Sequence, residues 1–348
     1  YLGGLAEAGT VGLEENGSVS FPQDATLANI TLTNGADIDA RGTGGGNISV
    51  DAKNLTLEAG EFGSSFIRGG ISSESTNPEA QAGNIAIDVA ENIILNEGTV
   101  SNQVASIGIG NSGNIIINTG SLELLNGGKV DASIFGTGNA GAVNVTVTGD
   151  MNISGEDTSS FPSGITSGVN PNAEGNSGGI TISTTNLNLV DGSNVAASTL
   201  GTGNAGMVSV TATGDINISG EDLEGVPGGI TSLVNPDAQG DAGGVTISTT
   251  NLNLVDGGRV AADTFGTGNA GMVSVTATGD INISGETSGN FSSGIGSTVN
   301  SNAEGDSGGI TISTTNLNLV DGGQIAADTF GTGNAGLVNV TATGDMNI

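Results

Sequence analysis

The sequence has no histidine, no cysteine and no tryptophan. Without imidazole there is no histidine general base, no Ser-His or Cys-His nucleophile pair and no histidine metal ligand. Without cysteine there are no disulfides, thiolate zinc sites or iron–sulfur clusters. Basic residues are almost as scarce. Five Lys+Arg stand against 36 Asp+Glu, a net charge of −31, so a phosphate backbone would find nothing to displace its counterions and nucleic acid is excluded as a partner. No apolar run approaches the roughly 18 residues of a membrane-spanning helix.

Glycine is abundant instead, at 63 of 348 residues. Charged residues make up only 12% of the chain, so the acidity reflects missing bases rather than crowded carboxylates, and the composition is that of a folded chain. The lack of cysteine also suits export through an oxidising space. The chain opens at Tyr1 with neither an initiator methionine nor a leader, which suggests a mature or trimmed segment.

One feature organises the rest. Gly-Thr-Gly-Asn-Ala-Gly stands at 136–141, 201–206, 266–271 and 331–336, a period of 65 residues. Residues 141–205, 206–270 and 271–335 align without a gap, and 336–348 opens a fourth copy, so a longer chain is expected. Each unit divides into a half of 28 residues, as in 178–205, and a half of 37, as in 206–242, whose extra length around Leu223–Gly229 reads as a surface loop.

Within each half, three short alternations follow one another. In the short half they are Ile180/Ile182, Leu187/Leu189 and Val195/Ala197, bounded by turn residues. Three strands per coil with no helical pattern predict an all-β, parallel β-helix, in which stacked coils bury a continuous Ile/Val/Leu interior. The preference for right-handed parallel crossovers makes it right-handed. Residues 26–140 carry the same grammar more loosely and residues 1–25 read as a cap or linker, giving about eleven coils and, at the inter-strand spacing of about 4.8 Å, a rod of about 50 Å.

Several columns follow from this alignment. Asn152, Asn188, Asn217, Asn253, Asn282, Asn318 and Asn347 share an outward position and form either an amide ladder usable as a contact face or a simple solvated strand position. The preceding turn alternates Asp150, Asn186, Asp215, Asn251, Asp280, Asn316 and Asp345. Interleaving doubles the spacing of like charges to about 10 Å, close to a Debye length. Calcium on Asp150, Asp215, Asp280 and Asp345, with Asp191, Asp256 and Asp321 at other turns, is the alternative for these carboxylates. First strands expose hydroxyl pairs such as Thr181/Ser183 and Ser209/Thr211, a flat array suited to sugar or ice, or simply to an exposed strand. Phe135, Leu200, Phe265 and Phe330 are expected to fill an inside corner. Lys129, Asn194, Arg259 and Gln324 share one register, whose tolerance marks a solvent position.

Gly-Asn-Ala-Gly before alternating Val/Ile, then Leu-x-Leu-x-Asp-Gly-Gly and Ala-Ala-Asp-Thr-Phe-Gly-Thr-Gly, resembles the repeats of filamentous-haemagglutinin-like exoproteins, especially the large cyanobacterial ones, over residues 26–348. The resemblance implies export through an outer-membrane secretion partner and display outside the cell as a right-handed β-helical rod serving adhesion or surface structure.

Repetition also argues against a unique active site, so the expected function is a structural or adhesive surface rod, with self-association into fibres and a cell-surface or environmental glycan as possible partners. A module binding glycan or calcium is the alternative, and a polysaccharide lyase or hydrolase using Asp256/Asp263 or Asp321/Asp328 a weaker one. No catalytic residue and no cofactor other than calcium is expected.

Overall fold

The computed structural model describes residues 1–7, 12–13, 19–20 and 25–348. Most of the segment read as a cap or linker, 1–25, therefore lies outside the described residues, although Leu2–Gly3 pairs in parallel with Val50 and Asp51 at the head of a sheet. From residue 25 onward the chain winds through three faces in fixed order. An 11-stranded first sheet runs from Leu2–Gly3 through Ile48–Ala52 to Val338–Ala342. An 11-stranded second sheet runs from Ile30–Leu32 to Met346–Asn347, and a 10-stranded third sheet from Asp37–Asp39 to Gln324–Ala326. Successive coils contribute one strand to each sheet in turn as far as Gln324–Ala326, and neighbouring coils pair in parallel, as in Asn188↔Asn217 and Asn217↔Asn253. This is a right-handed parallel β-helix.

The period-two pattern explains how each strand faces. In Ile180–Thr184 the isoleucines Ile180 and Ile182 are buried while Thr181 and Ser183 are exposed. Leu187, Leu189, Ile216, Ile218, Leu252 and Leu254 on the second sheet are all 0% exposed and join one continuous interior. Full burial of such a side chain stabilises by about 1.5–3 kcal/mol. A single coil would leave its inward row open above and below, so the fold holds only as a stack.

Glycine richness has a local cause at the Gly-Thr-Gly corner. Gly138, Gly203, Gly268 and Gly333 have φ between 132° and 142°, and a Cβ on each would stand 1.8–1.9 Å from the carbonyl oxygen of Gly110, Gly175, Gly240 or Gly305 in the coil before. Left-handed backbone and coil-to-coil contact together leave no room for a side chain. At this corner Thr137, Glu174, Thr202, Gln239, Thr267, Glu304 and Thr332 also join by single-residue parallel bridges, a minimal fourth rung that three alternations per coil did not predict.

A second turn uses consecutive left-handed residues. Asp191, Asp256 and Asp321 have φ of 55°, 48° and 48°, followed by Gly192, Gly257 and Gly322 at 73°, 95° and 85°. Aspartate and glycine tolerate this conformation best, so these aspartates are turn formers.

The aromatic column differs from expectation. Phe135, Leu200 and Phe330 are 40%, 41% and 67% exposed, and Phe265 is half-buried. The alternation of the third sheet does not invert before the corner. Val130, Ala132 and Ile134 stay inward, which leaves Lys129, Asp131 and Phe135 on the outer side.

Candidate functional site

Two outward features are built by the coil stack: polar ladders, and a groove along the third sheet. The first ladder is the asparagine column of the second sheet, whose members 152 to 318 are half-buried. Asn188 Nδ2 donates to Asn152 Oδ1 at 2.8 Å, Asn217 to Asn188 at 2.9 Å, and Asn253 to Asn217 at 2.8 Å. Asn282 donates to Asn253 and Asn318 to Asn282, both at 2.8 Å. Every bond points toward the earlier coil. Asn347 continues the register opposite Asn318.

The turn column beside it shows why acid and amide alternate. Asn186 Nδ2 donates to Asp150 Oδ1 at 2.7 Å, and Asn186 Oδ1 accepts the backbone N–H of Asp215 at 2.8 Å. The same two bonds recur at Asp215–Asn251–Asp280 and Asp280–Asn316–Asp345. An ionised carboxylate only accepts, so two in succession would face acceptor to acceptor, whereas an amide donates one way and accepts the other. The structure does not bring Asp150, Asp215, Asp280 and Asp345 together, since an amide rung separates each from the next. Among the described residues no three acidic side chains converge as a metal site.

A third ladder lies outside the columns expected from the repeat alignment. It runs Asn111, Asn139, Asn176, Asn204, Asp241, Asn269, Asp306 and Asn334 at the Gly-Thr-Gly-Asn corner, each side-chain Oδ1 accepting the next backbone N–H at 2.7–3.0 Å. Its signal was present in the sequence. The asparagine of every Gly-Thr-Gly-Asn alternates with the residue after Gly175, Gly240 and Gly305.

The groove has a floor of outward third-sheet residues and encloses about 580 Å³. One floor column reads Lys129, Gly164, Asn194, Gly229, Arg259, Gly294, Gln324. The position taken for plain solvent is thus half-buried at Lys129, Asn194 and Arg259, with a glycine between each long side chain and the next. The glycines make the room: a Cβ on Gly164 would stand 2.8 Å from Asn194 Oδ1, and one on Gly229 3.3 Å from Arg259 Cβ.

One wall is a row of tight loops, one every second coil. Asp157 N donates to Phe161 O, Asp222 N to Val226 O and Thr287 N to Phe291 O, closing each loop. Asp157 Oδ1 also accepts from the backbone of Ser159 and Phe161, which fixes the tip. Val226 and Phe291 line the groove at 52% and 50% exposure, and Phe161, 58% exposed, stands next to the lining residue Pro162 and over Lys129 at one end. Phe135 and Leu200 border the opposite side.

Charge in the groove is unlike the rest of the chain. Two of the five basic residues, Lys129 and Arg259, line it beside Asp131, and a third, Arg68, stands further along the same sheet. Arg68 pairs with Asp37 at 2.9 Å and Arg259 with Asp263 at 3.0 Å. Lys129 has no ion-pair partner among the described residues; its ammonium lies 4.6 Å from the Phe161 ring centroid. Burial lowers its pKa, against the opposing pull of Asp157 and Asp131.

Asp263 is 1% exposed. Burial raises its pKa despite Arg259 and a 2.8 Å bond from Thr298 N. Its counterpart Asp328 follows the last third-sheet strand, Gln324–Ala326, where no further coil supplies the cover that Thr298 gives Asp263. Asp256 sits in the tight turn.

Comparison with protein-family models, with curated proteins and with solved structures finds no match to this chain.

Proposed function

We propose that this β-helix is a non-catalytic surface rod, exported and displayed outside the cell, where it serves structure or adhesion. One observation carries the proposal. The outward chemistry is translational: the same amide rung recurs from Asn152 to Asn318 and the same acid–amide pair from Asp150 to Asp345, coil after coil. Such a surface grows longer with added repeats and offers many equal contacts, which suits avidity. Catalysis needs one preorganised constellation, and the buried carboxylate of Asp263 is engaged by Arg259 and Thr298. The resemblance to filamentous-haemagglutinin-like exoproteins supports the same role and the same export route.

Electron cryo-microscopy of the producing cell's surface, with an antibody against the 65-residue repeat, tests this. Labelled filaments or spikes are the expected result. Label confined to the cell interior, or cleavage of any glycan by the purified chain, would overturn it.

A further inference from the structure

We propose that the third-sheet groove is a binding site for a single extended, uncharged polysaccharide chain, laid along the rod axis with its sugar rings against Phe161, Val226 and Phe291. This deepens the adhesive side of the proposed function and rests on it.

The dimensions come first. The wall loops repeat every second coil, so Phe161, Val226 and Phe291 recur at about 10 Å along the axis. One disaccharide of an extended polysaccharide has a comparable length, so successive pairs of sugars would meet equivalent walls. The floor repeats at the same interval, because Gly164, Gly229 and Gly294 form notches between Lys129, Asn194, Arg259 and Gln324. Beyond Arg259 and Phe291 the cavity is followed by a second of about 240 Å³, lined by Gly294 and Gln324, so the two lie in line along the axis.

The lining chemistry is amphipathic in the manner of a sugar ring. Exposed aromatic and aliphatic side chains cost solvation unless covered, and Phe161 and Phe291 keep half or more of their surface open. Asn194 and Thr231 offer neutral donors and acceptors on the floor, beside Thr166, which donates to Asp131, and Asn235, which donates to the Thr199 carbonyl.

Other polymers fit less well. An extended peptide recognised by strand addition needs a free sheet edge, and the floor strands from Lys129–Asp131 to Arg259–Ala261 are paired on both sides. A polyanion meets the field of a chain of charge −31. A polycation meets Lys129 and Arg259 at the floor, where Asp131 is the one lining carboxylate and Asp263 is already paired with Arg259. An uncharged chain meets neither objection, and the Lys129 ammonium beside the Phe161 ring would donate to its hydroxyls.

Titration calorimetry of the purified chain with six-sugar cello-, xylo- and manno-oligosaccharides tests the assignment, with polygalacturonate and polylysine as charged comparisons. At least one neutral oligosaccharide should bind with an affinity insensitive to salt. Phe161→Ala and Phe291→Ala, both at exposed positions, should each weaken it about tenfold, and Lys129→Met should weaken it while leaving the circular dichroism unchanged. Absence of binding to all three neutral series, equal affinity in the Phe161→Ala/Phe291→Ala double variant, or binding of a charged polymer alone would overturn it. The surface-labelling experiment separates the two proposals. Filaments or spikes carrying a chain that binds no glycan would end the groove assignment and leave the rod; groove-dependent binding by a chain absent from the surface would do the reverse.

Discussion

Replacing Asn217 by threonine distinguishes a working amide ladder from a merely solvated position by the sign of its effect. Asn217 donates to Asn188 at 2.9 Å and accepts from Asn253 at 2.8 Å. Each net hydrogen bond contributes about 0.5–1.5 kcal/mol, so both together contribute about 1–3 kcal/mol. The column is half-buried, and the released amides of Asn188 and Asn253 can turn to water, which places Asn217→Ala at about 1–2 kcal/mol of destabilisation. Threonine recovers up to about 1 kcal/mol through its preference for strands. Asn217→Thr should therefore still lower the urea midpoint with an unchanged m-value, and hydrogen exchange should quicken first in Asn186–Leu189 and Asn251–Val255, the strands above and below. If threonine raises the midpoint, the ladder bonds contribute nothing net and the reasoning fails. A double-mutant cycle with Asn188→Ala should give a coupling of about 0.5–1.5 kcal/mol; zero coupling would refute it equally.

Truncating the interior should cost more. Leu254→Ala, at a 0% exposed rung, should destabilise by about 2–5 kcal/mol in chemical denaturation. Gly268→Ala adds a Cβ at φ 136°, 1.9 Å from the Gly240 carbonyl, and should cost more than about 3 kcal/mol. Gly63→Ala, at φ 103° with nothing within 4 Å, should cost only the backbone strain of about 1–2 kcal/mol; equal effects would show that coil contact is not what demands glycine at the corner. Asp263 has its folded pKa raised above the ordinary 3.8 by burial, so the folded state binds the proton more tightly than the unfolded chain does. Its contribution to stability is greatest at low pH and falls as pH rises from the ordinary aspartate range through the raised value. Asp263→Asn should remove that fall, read as the difference between the two stability–pH curves.

The fold was legible because alternation and turn residues act locally. Ile180/Ile182 and Leu187/Leu189 face inward for the same reason that Thr181 and Asn188 face outward, and a parallel stack needs only that rule repeated. The Asn152 and Asp150 columns were legible once the half-units were aligned on their second strands. The groove was less so. Its aromatic border was placed inside because a phenylalanine near a corner looks like filler, yet Ala132 and Ile134 had already taken the inward positions beside Phe135. Its floor looked like bland solvent because Lys129, Asn194, Arg259 and Gln324 were compared with one another. Structurally, their neighbours are Gly164, Gly229 and Gly294, supplied by the other half of the repeat. The long loops gained meaning only when stacking placed Phe161 over Lys129, residues 32 apart in sequence.

The acid–amide column gives the rod an arrow. Asp150 can only accept, so Asn186 must turn its NH2 group back toward it and its carbonyl forward, and that carbonyl then takes the N–H of Asp215. The orientation of one amide is thereby dictated by the coil already in place and handed on to the next. A chain leaving a ribosome or an export pore with its N-terminus foremost would present each finished coil as a row of waiting acceptors, and the arriving coil would bring the matching donors. Winding of this kind has a preferred direction, reads its own register one residue per coil, and closes like a one-way zipper whose last tooth is always set to receive another.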